Sequence, residues 1–192
     1  MTKGRLEAFS DGVLAIIITI MVLELRPPEE ATVEGLFALW PKLLSYVLSF
    51  VYLGIYWNNH HHLLRAARTV SGSVLWANLH LLFWLSLVPA GTAWIGETGF
   101  APIPVAIYGF LALMPAIAFT LLVLSLMRAR GQNPELAEAL GRDLKGKLSI
   151  VLYAASIPIA LLLPYLSLAI FVVVAAMWFV PDRRFEARAL AD

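Results

Sequence analysis

A chain of 192 residues with 60% hydrophobic and only 14% charged side chains, and a mean hydropathy of +0.80, has too little polar surface to coat a water-soluble globule. It reads as an all-α integral membrane protein. The formal net charge of +1, with basic residues scattered over short segments, excludes a nucleic-acid-binding stripe, and the absence of cysteine excludes disulfides, thiolate metal sites and cysteine nucleophiles.

A membrane-spanning helix needs about 20 mostly apolar residues. Six stretches qualify, at residues 6–25, 36–63, 74–95, 103–127, 148–163 and 165–180, which makes residues 1–192 a single six-helix transmembrane domain. The first opens on a polar cluster, Arg5 to Asp11, and an acid carried into a membrane helix is expensive enough to ask for a functional reason. Asp11 at its start, Glu24 at its end and no small-x-small site before Pro27-Pro28 argue against a cleaved signal peptide, so the helix is expected to be retained. Glu24 either attracts cations to an outer mouth or pairs with Arg26 or Lys42. The following loop is acidic through Glu29, Glu30 and Glu34, and the second outer loop contains Glu97; these make a cation-concentrating vestibule or simply solvated loops.

Towards the end of the second helix Trp57, Asn58, Asn59, His60, His61 and His62 cluster, and Trp76, Asn78 and His80 lie at the same depth on the third. Pro115 and Pro158 fall inside the fourth and fifth helices, where each removes a backbone hydrogen bond and is expected to kink its helix. Between these two helices, Arg128 to Lys147 begins with Asn133-Pro134-Glu135 and spaces Leu136, Leu140 and Leu144 as a short amphipathic connector. Pro164 divides the last apolar run into two passes. The charges agree with that count: all basic residues but Arg26 and Lys42 fall on alternate segments, in groups around Lys3, Arg65, Lys145 and Arg184. The positive-inside rule then places both termini in the cytoplasm and favours an even number of passes.

Ile16, Thr19, Ile20 and Leu23 recur at i, i+3, i+4 and i+7 on one face of the first helix. Such a stripe suits ordinary bundle packing or a narrow pore in which aliphatic rings form a hydrophobic constriction and a Thr hydroxyl offers an oxygen. No internal repeat is evident, so a symmetric pore requires several copies of the chain. A carbonyl filter of the Thr-Val-Gly-Tyr-Gly type is absent. Arg5 and Asp11 are six residues apart, too far round the helix to pair, so each is expected to meet partners on neighbouring helices. Three readings of the histidines stand: a satisfied structural network, a proton sensor partnered by Asp11, or a zinc or iron site built from His60 or His61 with His80 and Asp11. Neither a Ser/His/Asp nor a paired-carboxylate arrangement is present, so an enzyme is not expected.

The pattern Arg5-x-x-x-Phe9-Ser10-Asp11 opening an Ile/Leu/Thr helix, together with Ile55-Tyr56-Trp57-x-x-His60-His61, resembles the endosomal and lysosomal potassium channel family, called transmembrane protein 175 in animals. The resemblance implies a prokaryotic, single-repeat, six-helix subunit with cytoplasmic termini that assembles as a homotetramer in the lipid bilayer of the cell inner membrane. It implies a pore lined by the first helix, constricted at Ile16, Ile20 and Leu23, with Thr19 at a position linked to potassium preference. It further implies a structural polar network of Arg5, Phe9, Ser10, Asp11, Trp57, His60, His61, Asn78 and His80, with the histidine that takes the family's position left open among His60, His61 and His62. Potassium, with caesium and rubidium, is then the permeant ion; no cofactor or resident metal is expected. Two alternatives remain: a proton channel or proton-coupled transporter using Asp11 and the histidines, as the animal relatives are also associated with proton conduction, and an intramembrane metal-binding protein.

Overall fold

The computed structural model describes residues 2–28, 30–67, 69–129 and 143–179, and among these all regular structure is helical. The helices are α1 (Lys3–Leu23), α2 (Val33–Ala38), α3 (Trp40–Ala66), α4 (Gly72–Ser86), α5 (Val88–Glu97), α6 (Pro102–Arg128), α7 (Leu144–Leu162) and α8 (Pro164–Phe179). The expected amphipathic connector falls largely on residues 130–142, outside the described residues, as do Glu29, Arg68, Arg183, Arg184 and Arg188.

Local chemistry accounts for most of the boundaries. Side-chain oxygens of Thr32, Ser71 and Asp143 accept hydrogen bonds from the backbone N–H three residues on, at 3.0, 3.4 and 2.8 Å, and so start α2, α4 and α7. Pro41, Pro89 and Pro102 sit in the first turns of α3, α5 and α6, where a missing N–H costs nothing. The short α2 had no counterpart among the expected spans. The expected third span is interrupted: Leu87 separates α4 from α5, since Pro89 has no N–H to return to the carbonyl of Leu85. Pro115 and Pro158 instead lie within single continuous helices. Pro164 does end a helix; Leu163 leaves helical geometry at φ −136° and Pro164 begins α8. Ser167 Oγ then donates to the Ser156 carbonyl (2.9 Å) and Trp178 Nε1 to Ser149 Oγ (2.9 Å), an order of contacts that makes α7 and α8 an antiparallel hairpin.

Among the described residues four helical runs are long and apolar enough to cross a membrane, namely α1, the α4–α5 run, α6 and α7, and α8 is apolar but shorter. α3 has the length, yet Lys42, Asn58, Asn59, His60, His61, His62 and Arg65 lower its hydropathy. It can sit in a membrane protein because its polar side chains are turned into the bundle or gathered near its end. α6 occupies the middle, against α4, α5, α7 and α8, while α3 packs on α1, α5 and α8. α1 lies at one edge of the bundle, resting on α3, α4 and α5.

α3 and α5 approach closely at Gly96, where an added Cβ would lie 2.6 Å from Ser45 Oγ and 3.0 Å from the backbone Cα of Lys42. The backbone cannot yield as a flexible side chain can. Gly96→Ala is therefore expected to cost about 1–3 kcal/mol, seen as a lower melting temperature of the detergent-solubilised protein; an unchanged melting temperature would show that the two helices separate freely.

Candidate pore face and its polar anchor

α1 divides into two faces. Leu6, Ser10, Leu14, Ile17 and Met21 are buried against α3, α4 and α5. Ile16, Ile20 and Leu23 stand on the other side, 59%, 43% and 75% exposed in the single chain, beside a Leu14 that is 1% exposed. The contrast cannot come from hydrophobicity, since both faces are aliphatic; among the described residues the helix has neighbours on one side. Thr19 shares the exposed face, and its hydroxyl donates to the Ile16 carbonyl at 2.9 Å. That bond uses the proton, so the oxygen lone pairs remain available as acceptors.

The buried face is anchored by a chain of three side chains from three helices. His60 Nε2 lies 2.6 Å from Asn78 Oδ1, Asn78 Nδ2 donates to Ser10 Oγ at 2.9 Å, and Ser10 Oγ donates to the Leu6 carbonyl at 2.9 Å. Because Asn78 Oδ1 only accepts, His60 must carry its proton on Nε2 there. All three residues are at most 2% exposed. Buried polar groups of this kind are costly singly and directional when all are satisfied, so they fix the rotation of α1 about its own axis.

Asp11, next to Ser10 but on the exposed flank, accepts a hydrogen bond from Trp57 Nε1 at 3.0 Å. His61 stacks on Trp57 with ring centres 6.1 Å apart, and His62 meets His61 edge-on at 5.6 Å. The three consecutive histidines thus divide, with His60 in the buried chain and its neighbours outside it. Trp57→Phe removes the donor to Asp11 and is expected to cost about 1–2 kcal/mol, read from the melting temperature; a Trp57→Phe protein as stable as the native one would contradict a structural part for the pair.

The structure does not bring every expected residue together. His80 faces its own helix: its Nε2 accepts from Trp84 Nε1 at 2.8 Å, an i, i+4 pair that takes it out of the Ser10 network. Arg5 and Phe9 are exposed, and among the described residues Arg5 forms no ion pair within the chain. Lys3 is the basic residue that ties the start of α1 down, donating to the Arg65 carbonyl at 2.8 Å at the end of α3. Glu24 likewise finds no ion-pair partner among the described residues, because Lys42 reaches Glu97 at 3.9 Å. Among the described residues no group of three or more His, Asp or Glu side chains is placed to hold a metal ion. A cluster missed in the sequence lies inside the bundle, where Ser49 bridges Thr92 and Tyr108 at 2.7 Å each. Its signal was the recurrence of small polar and Tyr residues along α3.

Residues 5–89 match the family model described as endosomal/lysosomal potassium channel TMEM175. A potassium channel of Chryseobacterium sp. (strain P1-3) is 53% identical over 186 residues, which cover 97% of each chain. The chain belongs to the TMEM175 family. The crystal structure of a lysosomal potassium-selective channel TMEM175 homolog from Chamaesiphon minutus superposes with a TM-score of 0.81 at 28% identity, covering 93% of this chain and 96% of that one. The endosomal/lysosomal proton channel TMEM175 of Mus musculus is 31% identical over 101 residues, 46% of this chain but 20% of the mouse protein. The family model covers both α1 faces, the Trp57–His61 segment and Asn78.

Proposed function

We propose that this TMEM175-family chain is a potassium-permeable cation channel of the cell inner membrane. Four copies of a single six-helix domain, with cytoplasmic termini, surround an axis lined by α1. The observation that carries the reading is the two-faced α1: one aliphatic face is clamped by the buried Ser10–Asn78–His60 chain, and the opposite one, Ile16, Thr19, Ile20 and Leu23, is left exposed by the described residues of the subunit. The names of the Chryseobacterium and Chamaesiphon relatives support potassium as the ion.

Ions pass down their gradient without a carbonyl filter. Rings of Ile16, Ile20 and Leu23 around a narrow axis force a cation to shed water, and dehydration costs least for the larger, weakly hydrated ions. Potassium, rubidium and caesium are therefore favoured over sodium, with Thr19 returning part of the lost coordination. In planar bilayers with potassium chloride on one side and an equal concentration of sodium chloride on the other, the current is expected to reverse at a voltage of the sign set by the potassium gradient; a reversal at zero would remove selectivity from the proposal, and reversal at the chloride potential under a potassium chloride gradient would remove the cation pore.

Proton passage by Asp11 and His61 is the second reading, favoured by the exposure of both groups beside α1 and by the name of the mouse relative. It predicts transport that collapses in Asp11→Asn and is indifferent to the size of residue 16.

A further inference from the structure

α2 buries none of its residues against the described remainder of the chain. Its apolar side chains are nevertheless ordered. Val33, Leu36 and Phe37, at i, i+3 and i+4, fall within about 100° of one another around the helix, with Glu34 on the flank and Gly35 on the far side. That far side is where the chain itself lies. An added Cβ at Gly35 would come 2.6 Å from the Glu30 carbonyl oxygen and 3.4 Å from Pro28 Cβ, and Thr32 Oγ1 accepts from the Gly35 N–H at 3.0 Å. The turn that follows α1 therefore folds under Gly35, and the apolar arc is turned away from it, with Phe37 72% exposed. A surface helix ordinarily points its apolar arc at the core. α2 does the reverse.

Depth and lateral continuity identify what the arc meets. Trp40 and Trp57, both exposed, are separated along α3 by about 26 Å at 1.5 Å per residue. That is close to the hydrocarbon thickness of a bilayer, about 30 Å, and exposed tryptophans so spaced mark the two membrane–water interfaces. α2 precedes Trp40, with Leu39 and the N–H-free Pro41 breaking the helix between α2 and α3, so it starts where the hydrocarbon ends. Sideways, the Trp40 ring packs on Phe100 (centres 5.4 Å apart) and Phe100 on Tyr165 (6.2 Å), which is exposed beside Leu163 and Leu166 at the head of the apolar α8. α8 packs on α3, α6 and α7, whereas α1 rests on α3, α4 and α5. The aromatic row thus leads from α2 towards the lipid-facing α8 and away from the edge formed by α1. Helices that bind anionic lipid carry Lys or Arg on the polar face; α2 has neither, and Glu30 and Glu34 flank its arc, which suits a zwitterionic surface.

We infer that α2 lies in the headgroup layer of a zwitterionic bilayer surface, with Val33, Leu36 and Phe37 inserted among the upper acyl chains. Because the turn under Gly35 continues from α1, the bilayer surface then fixes the depth of that end of α1, whether or not α1 lines a pore. The chain has no cysteine, so Val33→Cys, Glu34→Cys and Phe37→Cys each carry a single nitroxide label in the full-length protein, reconstituted in phosphatidylcholine vesicles. Collision rates with oxygen, which concentrates in the acyl region, and with a water-soluble nickel chelate give the depth of each label. Labels at 33 and 37 are expected about 5–10 Å inside the headgroup boundary, and the label at 34 outside it. Adding Leu36→Glu to Val33→Cys should bring that label out to the depth of the one at 34 without moving the melting temperature, since Leu36 is not part of the buried core. Labels at 33 and 37 as open to nickel as the one at 34 would overturn the inference by placing α2 in water. Labels shielded from both reagents would overturn it by placing the arc under protein, and spin–spin broadening that vanishes on dilution with unlabelled chain would identify that protein as a second copy. A Val33→Cys label whose depth ignores Leu36→Glu would overturn it equally.

Discussion

Ile16→Cys is expected to make potassium current sensitive to a charged thiol reagent, with a loss of at least about tenfold when an adduct blocks the narrow axis, whereas Ile17→Cys is expected to be unaffected. The two positions are adjacent in sequence, equally aliphatic and equally deep in the helix. They differ because Ile17 is 4% exposed against α3–α5 and Ile16 is 59% exposed on the opposite face. The chain contains no other cysteine, so the introduced thiol is the sole target. Ile16→Asn tests the same ring in the other direction. An amide in place of an aliphatic side chain gives a dehydrating cation an oxygen, and lowering its barrier by about 1.4–2.7 kcal/mol raises the current by roughly ten- to a hundredfold. The added oxygens also relax the penalty on sodium, so the gain in sodium current should exceed that in potassium. Reagent-insensitive Ile16→Cys current together with unchanged Ile16→Asn current would mean that this face meets lipid or another subunit instead of the ions.

Asn78→Leu is expected to be the most damaging single change for assembly. It removes the acceptor of His60 and the donor to Ser10 together; Ser10 keeps its bond to the Leu6 carbonyl, but the buried His60 N–H is left unpaired at a cost of about 1–3 kcal/mol. With the lost bond to Ser10 added, that is a large fraction of the stability of a typical domain, about 5–15 kcal/mol. The expected result is a sharp fall in the yield of monodisperse protein after solubilisation and a large drop in melting temperature. A combined Ser10→Ala, His60→Leu and Asn78→Leu chain should recover part of the loss, because matched apolar partners orphan nothing, and the three effects should be far from additive. An Asn78→Leu protein with native yield and melting temperature would show that α1 is held by its aliphatic contacts alone.

What could be read from the residues beforehand follows from how local their causes are. The helical class came from composition, and the end of α7 from Pro164, a local breaker. Ser10 was readable as part of a polar cluster at the head of α1, but its partners were not ranked, since Asn58, Asn59 and three histidines share one depth. Consecutive helical residues point about 100° apart, so only one of His60, His61 and His62 could join the buried chain; the rotation of α3, fixed by distant packing, chose His60. His80 was placed in the network by its depth and by the resemblance, whereas in the structure it accepts from Trp84, four residues on in its own helix. The break at Leu87 was missed because Pro89 lies in the first turn after it, where its effect resembles a helix start more than a kink. The Ser49 cluster was missed although Ser45, Ser49, Tyr52, Tyr56 and Asn59 share one face of α3, because Thr92 and Tyr108 reach that face only through the packing of α5 and α6.

The most direct measurement is potassium flux from the purified chain in liposomes, followed by a potassium-sensitive readout with a proton ionophore supplying the counter-current. The proposal predicts potassium and caesium flux well above that of empty vesicles, slower sodium flux, and rates that change with the side chain at residue 16. Vesicles that pass no potassium even with the ionophore present, or that pass it at a rate indifferent to residue 16, would contradict a cation pore lined by α1.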